Sequence, residues 1–113
     1  MHAVEFLAAL RRGTTLVAPC TPTKPTWRAW VAITSPTRDR ERLGLRNRAL
    51  ELIWVTREWD PDYVANDLCW AEGDGMATLE RTTTTGEEEL LDLAERYGGR
   101  LAFCYPWHTD FPG

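Results

Sequence analysis

Cys104, His108 and Asp110 form the only local set in the sequence that combines a nucleophile, a base and a carboxylate. Catalysis would require the Cys104 thiol and the His108 imidazole within hydrogen-bonding distance, with Asp110 orienting the ring. Large apolar and aromatic residues alternate with smaller ones over 100–105, a pattern that places Cys104 inside a strand. His108 follows Pro106, which ends that strand. We therefore expect structural roles for these residues, and a small enzyme or small-molecule-binding protein that uses them stays an alternative.

The remaining polar residues do not have the spacing of a metal, nucleotide or acid–base site. The histidines and cysteines lack the closely spaced pair that a zinc site uses. The glycines at 73–75 and 98–99 do not follow a strand and open a helix, as phosphate-binding loops do. Acidic pairs such as Asp60 with Asp62 lie in turn-like sequence with no histidine near. We expect no metal and no cofactor.

A cluster of arginines is the feature that would suit a nucleic acid, because arginines pair with phosphates and tryptophans stack on bases. Its residues are Arg38, Arg40, Arg42, Arg46 and Arg48, with Trp30 close in sequence. The chain nevertheless has a sequence pI of about 5.1, whereas dedicated nucleic-acid-binding domains are usually basic. Nucleic-acid binding is therefore an alternative, and the competing interpretation is that these arginines pair with acidic residues of the same chain.

Composition and length indicate one soluble globular domain, 1–113. A chain of 113 residues buries roughly two thirds of its unfolded surface, and 43% hydrophobic with 27% charged residues is ordinary. No apolar run approaches the roughly 20 residues of a membrane helix, and the apolar segment 4–10 precedes basic residues, the reverse of a secretory signal. Three widely spaced cysteines favour reduced thiols. We expect a cytoplasmic protein.

The net charge of −4 conceals two oppositely charged halves. Residues 1–57 contain ten basic and four acidic residues, whereas 58–113 contain three basic and thirteen acidic residues. The charges could interleave within the folded domain. Alternatively, they form separate basic and acidic faces that would steer charged partners.

The segment 50–55 is apolar at every position except Glu51, and it predicts a central strand whose faces are covered by the rest of the chain. We expect Ile53 and Trp54 in this strand to be almost fully buried. The prolines of 19–26 predict an extended loop, and the arginine-rich 36–48 predicts an excursion without a long helix. The other predicted elements are a helix over 3–12, strands over 14–18, 27–34, 68–72, 76–82 and 100–105, and a helix over 86–97.

The helix over 86–97 has the clearest pattern. Thr85 and Glu88 have the spacing of a capping box, and Gly98 with Gly99 ends the helix. The glycines of 73–75 indicate a hairpin before it. The residues expected to face inward are Leu90, Leu91, Ala94 and Tyr97, and those expected to face outward are Glu88, Glu89, Asp92 and Glu95.

Strands that follow one another without intervening helices predict a mostly antiparallel sheet. The predicted fold class is α+β, with about four to six strands and two main helices, about 3–12 and 86–97, packed on the sheet. The pattern leaves the strand order open, and it also leaves open whether 61–67 is helix or loop.

A binding role is the function that the sequence favours. Six tryptophans is a large number for this length, and tryptophan and arginine are enriched at binding hot spots. Acidic surfaces can occupy the place of the phosphate backbone on basic enzymes such as nucleases. The order of a hairpin and an acidic helix resembles the layout of some bacterial immunity proteins, without a shared residue motif. Small acidic α+β proteins of this size are common among immunity proteins and phage-encoded inhibitors.

We therefore expect a small non-enzymatic protein-binding module or inhibitor whose partner is a protein, with a basic enzyme as one class of partner. No membrane is expected as a partner, and a homodimer stays open. The residues expected to form the contact surface are Glu72, Asp74, Glu88, Glu89, Asp92, Glu95, Trp59 and Trp107.

Overall fold

Two helices pack on a four-stranded antiparallel sheet in the computed structural model, which describes residues 2–35, 50–62, 75–109 and 111. The sheet order β1-β2-β3-β4 follows the chain, so that each strand pairs with the next. The predicted α+β class with a mostly antiparallel sheet is confirmed. The elements are α1 (Ala3–Arg11), β1 (Leu16–Cys20), β2 (Arg28–Thr34), β3 (Leu52–Trp59), β4 (Met76–Thr84) and α2 (Glu87–Arg96).

The strand β3 lies inside the sheet between β2 and β4, as the apolar segment 50–55 predicts. It begins only at Leu52, because Leu50 has a φ of 47°, a left-handed conformation that cannot continue a strand. Trp54 is 2% exposed, which agrees with the prediction. The prediction for Ile53 is wrong: this side chain is half-buried, because it points to the sheet face opposite the helices.

The main core lies between the helices and one face of the sheet. Alternate residues of the strands supply the sheet side, which is why the period of two in 27–34 predicts β2 well. Each large apolar side chain buried here contributes about 1.5–3 kcal/mol. The core residues are Phe6, Ala9 and Leu10 from α1, Leu16, Ala18, Val31, Ile33, Leu52 and Trp54 from the sheet, Leu50 just before β3, Leu90, Leu93 and Ala94 from α2, and Phe103.

The C-terminal segment covers the opposite face of the sheet. Phe103 lies in the main core, and Cys104 then pairs with Val17 at the outer edge of β1 through two backbone hydrogen bonds of 2.9 and 3.0 Å. Phe111 packs edge-on against Trp30 and Trp59 in a second core on the other face. The second face is therefore covered around Trp30 and Trp59, whereas Ile53 and Val55 on the same face lie outside this second core and are half-buried.

The predicted strand over 100–105 is wrong. Gly98 and Gly99 have φ values of 95° and 81°, and they turn the chain directly into a 3₁₀ helix, Arg100–Ala102. Local hydrogen bonds from Ala102 N to Gly99 O and from Phe103 N to Arg100 O replace the ladder of a strand. Leu101 is consequently 72% exposed instead of packing inward.

The proline-rich segment begins inside β1, since Pro19 pairs with Trp30. Proline is tolerated there because β1 is at the edge of the sheet formed by the described strands. Asp60 accepts a hydrogen bond from Asp62 N at 3.0 Å, the geometry expected where a helix begins. The arginine-rich excursion 36–48, most of 61–67 and the first hairpin strand 68–72 lie outside the described residues. No helix within the described ranges is long and apolar enough to span a membrane.

Candidate functional site

The helix α2 positions the largest group of predicted site residues. Its buried side chains are Leu90, Leu93 and Ala94. Leu93 is not among the residues that the sequence pattern predicts to face inward, and Leu91, which is among them, is only half-buried. After the helix ends, the Tyr97 hydroxyl lies 3.2 Å from the Thr56 hydroxyl. These contacts hold the helix on the sheet and fix the direction of its outer face.

The predicted capping box between Thr85 and Glu88 is wrong. The residue at the N-cap is Gly86, which has a φ of 90° and no side chain that could accept a hydrogen bond. Glu89 instead reaches back, and its Oε2 accepts a hydrogen bond of 2.7 Å from Thr85 N. The motif is therefore shifted by one residue and only half formed. As a result, Glu89 has a structural role, whereas Glu88 is left facing solvent.

Glu88, Asp92 and Glu95 form an acidic stripe along the outer face of α2. Their spacing of four and three residues places them one above the other, and all three side chains are exposed. Acidic residues in the first turn of a helix are stabilised by the helix dipole, which accounts for Glu87 and Glu88. It does not account for Asp92 or for Glu95, which lies in the last turn, where the dipole favours cations.

The acidic stripe is not neutralised within the described part of the chain. No lysine or arginine there forms an ion pair with Glu88, Asp92 or Glu95. Like charges four residues apart on a helix repel each other by about 0.2–0.5 kcal/mol. The stripe therefore carries a small electrostatic cost that a cationic partner would relieve.

The tryptophans predicted as anchors have very different environments. Trp59 is 3% exposed and packs on Phe111, so it belongs to the second core and cannot contact a partner. Trp107 is 68% exposed and stacks on Tyr105 with ring centroids 4.8 Å apart. The Tyr105 hydroxyl accepts a hydrogen bond from Arg12, which associates Trp107 with the end of α1. Glu72 and Asp74 lie outside the described residues.

The residues of the nucleic-acid alternative are not assembled within the described part of the chain. Trp30 is buried in the second core and has no exposed face on which a base could stack. The predicted phosphate-binding residues, Arg38, Arg40, Arg42, Arg46 and Arg48, lie outside the described residues.

Cys104 and His108 do not come together as a catalytic pair. The Cys104 thiol donates to Val17 O at 3.8 Å, whereas His108 lies edge-on to the rings of Tyr105 and Trp107. Asp110 lies outside the described residues. Cys104 and Cys20 carry free thiols. No group of three metal-binding side chains is present in the described ranges.

Glu58 is a buried carboxylate that the sequence pattern did not single out. It is 1% exposed, yet its two oxygens accept hydrogen bonds from Thr23 N at 2.8 Å and from Thr23 Oγ1 at 2.7 Å. Lys24 Nζ lies 3.8 Å from Glu58 and also sits over the Trp27 ring. We call this arrangement the Glu58 clip, because it fastens the proline-rich loop to β3.

The Glu58 clip holds its carboxylate in the ionised form. Burial opposes ionisation and acts to raise the pKa of Glu58, but the hydrogen bonds from Thr23 and the charge of Lys24 outweigh it, so that the pKa lies below its ordinary value. The neighbouring Cys20 thiol responds in the opposite direction: burial and the charge of Glu58 raise its pKa to about 11. Cys20 is therefore a neutral, unreactive thiol near neutral pH.

The Glu58 clip makes the stability depend on pH. A carboxylate whose pKa is lowered on folding contributes stability above its unfolded pKa and loses it as the pH falls through the folded value. We expect Glu58→Gln to lower the free energy of unfolding by about 1–3 kcal/mol near neutral pH. The difference in stability from the wild type should shrink as the pH falls below 4.5, the ordinary pKa of a glutamate side chain. Urea unfolding across this range measures it, with the exposed Glu80→Gln as control, and a difference that stays constant down to about pH 3 would refute the ionised clip.

No family model matches the chain, and no curated protein or solved structure shows significant similarity to it.

Proposed function

We propose that this chain is a non-enzymatic binding protein that covers a basic site on a protein partner. The observation that carries the proposal is the acidic stripe. Three exposed carboxylates stand in one row on a helix that is anchored to the core by Leu90, Leu93 and Ala94. The stripe has no ion-pair partner among the described residues, and the helix that carries it is already formed, so that a cationic partner does not have to order that helix first.

The position of the stripe supports recognition over a purely structural role. Solubility would be served by acids interspersed with bases, but α2 carries five acids before its single arginine, Arg96. The helix dipole explains the acids of the first turn only. Asp92 in particular remains as a charge for which neither the dipole nor a contact within the described residues accounts, which is the pattern of a surface selected for complementarity to a partner.

A basic enzyme is the class of partner that fits best. This chain would then be an inhibitor of the immunity-protein or phage-inhibitor type, and it would act in the cytoplasm. An enzyme that binds nucleic acid presents rows of lysine and arginine to the phosphate backbone. A row of carboxylates on a helix can occupy that place and block it. Such complexes form rapidly and depend strongly on salt, because charge steers the encounter.

Affinity capture from the source cells tests the proposal. The immobilised chain is incubated with lysate at low and at high salt, with and without nuclease treatment. We expect a basic protein that is retained at low salt, is reduced at high salt and is insensitive to nuclease. A bait carrying Glu88→Lys and Asp92→Lys should lose this protein. A matched bait with the same change in net charge, Glu5→Lys and Glu80→Lys, should keep it.

The capture distinguishes the alternatives directly. Recovery of nucleic acid, with loss of all protein after nuclease treatment, would overturn the proposal in favour of nucleic-acid binding. A basic protein retained equally by both charge-reversed baits would show that another surface makes the contact.

A further inference from the structure

A cleft of about 500 Å³ opens where the end of α2 meets the sheet. It lies beyond the main core, on the same face of the sheet as the helices. Its lining combines four elements: β1 with its following loop, β3, β4 and the C-terminal end of α2. The described lining residues are Pro19, Cys20, Thr21, Thr56, Leu79, Glu80, Arg96 and Tyr97. Its size falls within the range of small-molecule sites in proteins.

A β-bulge shapes one wall of the cleft. Thr56 pairs with Glu80, but the next residue, Arg57, pairs with Thr78, so Leu79 is the extra residue on β4. A bulge bends its strand and re-aims the neighbouring side chains, and bulges are over-represented next to functional sites. Leu79 is 37% exposed and contributes an apolar surface to the cleft.

Opposite charges line the cleft without neutralising each other. Arg96 at the end of α2 and Glu80 on β4 both border it, and they form no ion pair with each other or with another described residue. The hydroxyls of Thr56 and Tyr97, which are 3.2 Å apart, line the same cleft. One of these hydroxyls donates to the other, which leaves the second proton and the remaining lone pairs available to a ligand.

The charges around the cleft also balance. Next to it, the negative charge of Glu58 is paired with Lys24, and Cys20 is a neutral thiol. The described lining thus offers one cation and one anion that form no ion pair with a described residue. Glu80 Oε1 accepts a hydrogen bond of 3.3 Å from Thr82 Oγ1, and Oε2 has no partner among the described residues. A ligand with a single net charge would satisfy one of them and be repelled by the other. A ligand with separated opposite charges satisfies both.

We propose that this cleft binds a small zwitterion, an amino acid or dipeptide with an apolar side chain. Arg96 binds its carboxylate, Glu80 binds its ammonium group, and the Thr56 and Tyr97 hydroxyls bind polar atoms between the two. The apolar side chain packs on Leu79 and Pro19. This site is separate from the acidic stripe and does not depend on the proposed function.

The test is a titration followed by isothermal calorimetry and by ¹H–¹⁵N NMR. The zwitterionic probes are L-leucine and glycyl-L-leucine. Two analogues each lack one charge: N-acetyl-L-leucine has no cation, and L-leucinamide has no carboxylate. We expect at least one zwitterion to bind and to shift the amide signals of Cys20, Thr56 and Tyr97. Each analogue should bind at least roughly tenfold more weakly, the loss expected for one charged hydrogen bond.

Two variants assign the charges. Arg96→Gln should weaken binding of the zwitterion roughly tenfold but leave the affinity for L-leucinamide, which has no carboxylate, unchanged. Glu80→Gln should also weaken binding of the zwitterion roughly tenfold, but it should leave the affinity for N-acetyl-L-leucine, which has no cation, unchanged. The matched control is Arg81→Gln, next to Glu80 but on the opposite face of β4, and it should bind as the wild type does. All three residues are exposed, so thermal unfolding should confirm intact folds.

Three results would overturn the proposal. The first is the absence of binding by either zwitterion at millimolar concentration. The second is equal binding of the zwitterions and their blocked analogues. The third is shifts confined to residues remote from the cleft, or affinities that Arg96→Gln and Glu80→Gln leave unchanged.

Discussion

Replacing Trp54 by alanine is expected to lower the free energy of unfolding by about 3–5 kcal/mol. Trp54 is 2% exposed, stacks on Tyr97 and meets Phe103 edge-on, so it joins β3 to the end of α2 and to the C-terminal segment. Removal of the indole leaves a cavity among all three. Since domains of this size are stable by about 5–15 kcal/mol, this single change should unfold a weakly stable chain. Urea unfolding followed by circular dichroism measures the loss.

The Trp54 side chain also carries a buried hydrogen bond whose contribution can be separated from packing. Its Nε1 donates to Thr84 Oγ1 at 2.9 Å across the β3 and β4 pair. Thr84→Val leaves that donor without a partner, which costs about 1–3 kcal/mol. Trp54→Phe leaves the Thr84 hydroxyl unpaired in turn. The double variant removes both groups and should therefore cost less than the sum of the single variants.

Two comparisons make this prediction falsifiable. Trp107→Ala removes the same side chain from an exposed position, and it should change the stability by no more than about 0.5 kcal/mol. If Trp54→Ala costs no more than Trp107→Ala, β3 does not organise the core. If the Trp54→Phe and Thr84→Val losses are strictly additive, the hydrogen bond contributes nothing.

Periodicity in the sequence predicts the parts of the fold that depend on burial alone. The segment 27–34 alternates and forms β2, and the apolar segment 50–55 leads to β3 in the interior of the sheet. The spacing of Leu90 and Ala94 predicts the buried face of α2, and with it the acidic stripe on the opposite side. In these segments local preference and tertiary packing favour the same structure.

The remaining features depend on contacts between residues distant in sequence or on single backbone angles. Alternation over 100–105 imitates a strand, but the positive φ values of Gly98 and Gly99 start a 3₁₀ helix instead. Burial of Glu58 requires a loop some 35 residues earlier to supply Thr23, and no local pattern could indicate this. The sequence suggests that Trp59 is an exposed anchor, but in the structure Phe111 from the C-terminal segment packs against it.

The sequence does not indicate the candidate cleft, because its lining comes from residues that are distant in sequence. Nothing in the sequence distinguishes Arg96 and Glu80 from other surface charges, and only the folded chain brings the end of α2 and β4 to one cleft. The bulge at Leu79 is not signalled by a glycine or a proline, the residues that most often mark such a break.

Reversing two charges of the acidic stripe is expected to slow association with the captured partner by roughly tenfold or more at low salt. The variant replaces Glu88 and Asp92 by lysine. Glu89 is kept because it accepts a hydrogen bond from Thr85 N, and Glu95 is kept because its carboxylate lies against Gly99. Both replaced residues are exposed, so the stability should change little. We expect the effect on the association rate because exposed charges at an interface act mainly on the rate at which the two partners encounter each other.

The association rate measured across ionic strength is the most direct test of the binding role. Stopped-flow or surface-plasmon measurements should give a steep decrease with salt for the wild type and for the control variant, Glu5→Lys with Glu80→Lys. The variant Glu88→Lys with Asp92→Lys should give a slower association and a much flatter decrease. If all three proteins show the same rate and the same salt dependence, the acidic stripe is not the surface through which this chain acts.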